Sequence, residues 1–105
     1  MDINTEPVIP FDPSLEWDYV GALNGVMNNG KRARRKSWKD GVYIFLVDGS
    51  KFKVSRPPLN QFLEEGTLVS YKPHIDRIEK KGDGYEVSVY NPSNQDLMAK
   101  DWVTG

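Results

Sequence analysis

Cysteine is absent from this 105-residue chain, and histidine occurs once, as His74. The first absence excludes a disulfide framework and thiolate chemistry. The two together exclude a zinc site built from His and Cys within one chain. No apolar run approaches the length of a membrane span, and the acidic, proline-bearing start does not read as a signal peptide. An excess of positive charge is also missing: fourteen Lys and Arg stand against fifteen Asp and Glu, for a formal net charge of −1. That argues against a protein that coats long DNA or RNA. A Gly-rich phosphate loop with its lysine, a nucleophile elbow and paired histidines at metal spacing are all lacking. These absences point to a soluble, cytosolic protein that is not an enzyme and carries no cofactor. The length fits one domain with one modest core, of a size that often gains stability by oligomerising.

What the chain does have is one concentration of positive charge. Lys31, Arg32, Arg34, Arg35, Lys36 and Lys39 follow one another without an intervening acid, and Trp38 sits among them. A local cationic run beside a π-face suits a compact, phosphorylated, base-bearing ligand better than a long polyanion. Two plainer readings stand beside that one. Alternating Arg and Lys on an edge strand can be solvated charge that discourages aggregation, and a Trp next to a strand can be core.

The pattern along the chain predicts an α+β fold: one N-terminal helix on a curved antiparallel sheet, with a short C-terminal helical turn. Residues 1–13, with Pro7, Pro10 and Pro13, read as an extended arm that Phe11 can pin to the domain or to a neighbouring subunit. Residues 14–105 then form a single ligand-binding domain. A helix is expected over Tyr19–Asn28, capped by Asp18, with Tyr19, Ala22, Leu23, Val26 and Met27 on its apolar face and Gly30 as its stop. Lys31–Arg35 reads as a short strand. Val42–Val47 is the strongest strand, apolar on both faces, which makes its second face a candidate subunit interface. Asp48-Gly49 signals a hairpin returning through Phe52–Val54. Further strands are expected at Thr67–Tyr71, through Ile78, at Tyr85–Tyr90 and at Trp102-Val103, with a helical turn over Asn94–Ala99 capped by Ser93 or Asn94.

Several polar groups have chemistry to offer. Asp76, Asp96 and Asp101 are able to bind a hard cation if the fold brings them together. His74 is suited to a structural hydrogen bond or to a ligand's phosphate or ribose. Asn94, Gln95 and Asp96 can cap the helical turn or read a base edge. Tyr71, Tyr90 and Trp102 offer stacking surfaces.

Several ordered segments resemble one known family. They are Tyr19-Val20-Gly21-Ala22-Leu23, Gly30-Lys31, Arg35-Lys36-Ser37-Trp38, Phe45 through Phe52, Tyr71 through Asp76, and Ser93 through Trp102. Together they are similar to the second family of phage Thoeris anti-defence proteins, over about Asp18 to Val103. The resemblance implies a sponge in the host cytoplasm. Members bind the cyclic ADP-ribose isomer made by Thoeris TIR-domain enzymes and hold it without cleaving it, so the effector stays off. Cyclic di- or trinucleotides are further ligands of some members, at separate sites. The resemblance also implies a homotetramer with pockets between protomers. On that basis Arg35 is expected at a diphosphate, with Lys31 or Lys72 as secondary cations, and Trp38 and Tyr90 as walls for the adenine. Asn94, Asp96 and His74 would read ribose or base edges, and Tyr71, Asp76 and Trp102 complete the expected ligand-binding set. Arg32, Arg34 and Lys36 are expected to be solvated neighbours. The chain departs from the family pattern with Lys72 for a common arginine, Tyr90 for a common tryptophan and Asn94 for a common glutamine. Two other classes remain open from the residues: an enzyme cleaving the same nucleotides with Asp76 and Asp96 as acid and base, and a phage accessory, structural or RNA-binding protein.

Overall fold

Asp18 starts the first helix as its sequence predicts. In the computed structural model, which describes residues 9–105, helix α1 spans Tyr19–Asn28. The Asp18 carboxylate accepts the Gly21 N–H at 2.8 Å, satisfying one of the helix's orphan donors. At the other end the N–H groups of Asn29 and Lys31 both return to the Gly25 carbonyl. Gly30, at φ 64°, turns the chain away. Ala22, Gly25 and Val26 form the buried stripe. Met27, expected on that face, is 52% exposed because the stripe is narrower than the sequence period implies.

Seven strands follow: β1 (Ala33–Arg35), β2 (Tyr43–Val47), β3 (Ser50–Lys53), β4 (Leu68–Tyr71), β5 (His74–Lys81), β6 (Gly84–Val89) and β7 (Trp102–Thr104). A second helix, α2 (Asn94–Met98), lies between β6 and β7, and a single 3-10 turn covers Leu59–Gln61. Five strands make the main antiparallel sheet in the order β6-β5-β2-β1-β7. Strand alternation divides their side chains between two faces. Ala33, Ile44, Leu46, Ile75 and Trp102 face α1 and, with Ala22, Val26 and Tyr90, make the core. Tyr43, Phe45, Asp76 and Val89 fall on the other face. No helix among the described residues is long and apolar enough to cross a membrane.

The Asp48-Gly49 hairpin does not form. β2 pairs with β1 and β5, while β3 pairs with β4 as a separate two-stranded arm. The close approach at Gly49 gives the reason. A Cβ there would lie 2.5 Å from the Tyr71 carbonyl oxygen and 3.1 Å from Pro73 Cδ. Asp48-Gly49 is thus the crossing where the arm leaves and re-enters the sheet, not a turn back onto β2. The hairpin of the main sheet is instead the Gly82-Asp83 loop between β5 and β6, with a positive φ at Gly82 alone, the pattern of a type II′ turn.

Of the expected N-terminal arm, residues 1–8 lie outside the described residues. Its last part packs on the chain's own sheet. Asp12 N–H donates to the Thr104 carbonyl at 3.1 Å, and the Phe11 ring sits 6.0 Å from Tyr43. Arg32 lies over Phe11 at 4.2 Å and donates to the carbonyls of Ile9 and Gly105. Arg32 is therefore not a solvated neighbour but the clamp that holds this segment down.

Gly49→Ala forces backbone atoms apart at the crossing. We expect it to lower stability by about 1–3 kcal/mol, read as a reduced urea midpoint with an unchanged slope.

Candidate functional site

Three of the groups expected to bind ligand converge on a fourth, the carboxylate-bearing Asp96. Asp96 is only 8% exposed. Its Oδ2 accepts from the Tyr90 hydroxyl at 3.0 Å and from the Ser93 N–H at 3.2 Å. Its Oδ1 accepts from Arg35 Nη1 at 3.4 Å. Its backbone N–H returns to Ser93 Oγ at 3.0 Å, closing the capping box that starts α2. Its backbone carbonyl accepts from Trp102 Nε1 at 3.0 Å. Four of the predicted residues, Arg35, Tyr90, Asp96 and Trp102, are thus one hydrogen-bonded unit. Asn94 opens α2 beside them and is exposed.

Arg35 is held from two sides, by Asp101 through Nε at 3.1 Å and by Asp96 through Nη1. These bonds, Asp101's first, raise its already high pKa. A guanidinium carries five N–H donors, so this pairing leaves three for other partners while fixing the plane of the group. Tyr90 is pushed well above its usual pKa of 10.0, first by burial and then by the Asp96 charge.

Trp38 stands at the border of the core. Its ring packs edge-on against Trp102 at 5.2 Å and Tyr90 at 6.3 Å, yet it is only half-buried. Trp102, at 0% exposure, offers no surface to a ligand and acts as backing for Trp38. That corrects its expected role as a stacking wall. Two arginines that sequence reasoning did not assign to the site also meet Trp38. Arg77 lies 5.4 Å from its ring centroid, and Arg34 donates through Nη2 to its backbone carbonyl. Arg34 also reaches Asp40 at 3.4 Å, so it clamps the turn that presents Trp38 instead of pointing idly into solvent. Lys36 pairs with Glu16 at 3.1 Å. The signal for Arg77 was present in β5, where it shares the core-facing register with Ile75 and stands opposite Ile44.

The remaining predicted residues lie elsewhere. His74 and Asp76 are on the opposite face of the sheet, with His74 Nε2 3.3 Å from Asp76 Oδ1 and Nδ1 3.4 Å from the Lys72 carbonyl. Tyr71 belongs to the β3–β4 arm, stacked on Phe52 at 5.3 Å, and Lys72 is exposed beside it. Asp96 and Asp101 meet at Arg35, whereas Asp76 does not join them. Among the described residues no group of three or more acids or histidines is placed to hold a metal ion. Asp76 lies on the sheet face away from the core, whereas Asp96 is tied to Arg35 and Tyr90 on the core side, so the two do not face each other within one chain.

Asp96→Asn removes the charge that Arg35 and the α2 cap are built around. We expect a loss of about 3 kcal/mol in urea unfolding. The raised Tyr90 pKa also predicts a pH dependence. The folded state favours the protonated phenol more than the unfolded chain does, so this contribution is complete below about pH 10 and is lost as the pH climbs toward the folded value. Stability should fall above about pH 10, and Tyr90→Phe should flatten that fall.

Comparison with known proteins bears on this arrangement in two ways. Among curated proteins no sequence match is found. The sequence signature of the Thoeris anti-defense 2-like domain matches residues 18–104, from the α1 cap to the end of β7, and so takes in the Asp96 unit, Trp38 and the β3–β4 arm together. The chain belongs to the Thoeris anti-defence family defined by that domain.

Proposed function

We propose that this protein captures a cyclic ADP-ribose-type immune signal and holds it without cleaving it, so that the Thoeris effector in the host cytoplasm is never activated. The observation that supports this most directly is Trp38 in a chain of an anti-defence family. It is a half-buried indole backed by Trp102 and Tyr90 and flanked by Arg35 and Arg77. A flat adenine stacks on such a ring, and a guanidinium fixed by two carboxylates presents its unused N–H groups to a phosphate without first being ordered. Asn94 and Asp101, at the rim, supply acceptors and a donor for ribose hydroxyls.

Local charge sets a limit on this face. Arg35 is matched by Asp96 and Asp101, and Arg77 by Glu79 at 3.0 Å. A diphosphate therefore needs cations from elsewhere. Lys72, exposed where the β3–β4 arm rejoins the sheet, is a cation of the right kind that has no carboxylate partner among the described residues. A pocket shared between copies resolves this, and a homotetramer is the assembly we propose. The uncovered sheet face offers the contact: Tyr85, Val87 and Val89 on β6 are each at least half exposed and share their face with Ile78 and Phe45.

Calorimetry with a panel of cyclic ADP-ribose isomers tests the reading. We expect nanomolar binding, about −12 kcal/mol, with intact ligand recovered after heat release. Trp38→Ala should weaken it roughly 10- to 100-fold, the worth of one stacked base. Native mass spectrometry should show four copies. Absence of binding at micromolar concentration, or recovery of a cleaved product, overturns the proposal.

A further inference from the structure

The β3–β4 arm carries a cavity that shares no residue with the Trp38 face. It measures about 330 Å³ and is walled by Phe52, Tyr71, Pro57 and Leu59, with Lys53 and Arg56 contributing cations. Its frame is stiff. Four register pairs hold β3 to β4, and the Gly49 crossing fixes Tyr71 where the arm joins the sheet. Phe52 and Tyr71 stack with their planes 27° apart, and Tyr71 is still 55% exposed, so aromatic surface remains open on that side.

The charge here differs from that around Trp38, where Arg34, Arg35 and Arg77 each have a carboxylate partner. Among the described residues Lys53 and Arg56 form no ion pair. Glu64 and Glu65, in the same arm, do not line the cavity. Two uncompensated cations beside an open aromatic and an apolar floor are complementary to an anion attached to a flat ring. Small-molecule pockets run from about 300 to 1,000 Å³. This one, at the low end, admits a single base or aryl ring and its phosphate and is too small for a two-base ring.

We propose that the arm cavity is a second ligand site, for an aryl phosphate the size of one nucleoside monophosphate. The site does not depend on the signal-capture reading, since its walls and cations belong to the arm alone.

The test is titration of the full-length, isotope-labelled protein with AMP, phenyl phosphate and inorganic phosphate, followed by NMR. AMP and phenyl phosphate should shift the Phe52, Arg56 and Tyr71 resonances at sub-millimolar concentration, and inorganic phosphate should need at least tenfold more. Arg56→Ala, an exposed position, should weaken AMP about tenfold while binding of a cyclic ADP-ribose isomer is unchanged. Trp38→Ala should leave AMP binding intact. Inorganic phosphate binding as well as AMP would overturn the proposal, as would no shift in the arm at 10 millimolar AMP, roughly the weak limit of specific binding. AMP binding that survives Arg56→Ala and is lost in Trp38→Ala would overturn it too, by placing the nucleotide on the other face.

Discussion

Asp96 is where four separately built parts of the chain are tied together. A buried carboxylate is costly unless its oxygens are filled, and here each one is: by the end of β6 through Tyr90, by the α2 cap through Ser93, and by β1 through Arg35. Its backbone carbonyl adds β7 through Trp102. Helix α2 is one short turn and would not hold its shape alone. It stands because its third residue is also the anchor of the core's polar corner. The same bonds that stabilise the fold set the planes of Arg35 and Trp102, and Trp102 in turn sets the plane of Trp38. The residues of this network divide by exposure and not by chemistry. Asp96 and Trp102 build the wall, and Trp38, with the remaining N–H groups of Arg35, forms its outer surface.

The basic run that marks the sequence shows the same economy. It looks like a patch of free charge, but Arg32 clamps the segment around Phe11, Arg34 holds the Trp38 turn, and Arg35 joins Asp96 and Asp101. Alternation on β1 decides which does which, since Arg35 shares the core face with Ala33 while Arg34 falls on the other. The acids that hold Arg35 come from far along the chain, which is why it reads as unopposed in one dimension.

Local signals carried much of the fold. The Asp18 cap, the Gly30 stop, the β-rich period after it and the Ser93 capping box are all fixed by a few adjacent residues, and each element stands where those residues put it. Pairing was less legible. Asp48-Gly49 has the composition of a tight turn, but the strand it follows finds a longer partner in β5, and only the contact with Tyr71 and Pro73 reveals the crossing. The site was legible as a set of residue types and not as an arrangement. Sequence brought Arg35, Trp38, Tyr90 and Asp96 into one group, but strand parity across a sheet whose order was unknown separated them from His74 and Asp76. Arg77 is not marked by its own sequence neighbours, because its meaning lies in what stands across the strand from it.

The crossing at Gly49 has a consequence for how this protein can vary. β2 and β5 are neighbours in the sheet, yet everything from Asp48 to Pro73 is spliced between them. The two ends of that segment are held together by the β2–β5 pairing, and lengthening a loop within it adds little further entropic cost. The arm is accordingly a graft on a finished scaffold. Lengthening or recharging it leaves the strand order and the Asp96 corner as they are, since neither draws a residue from the arm.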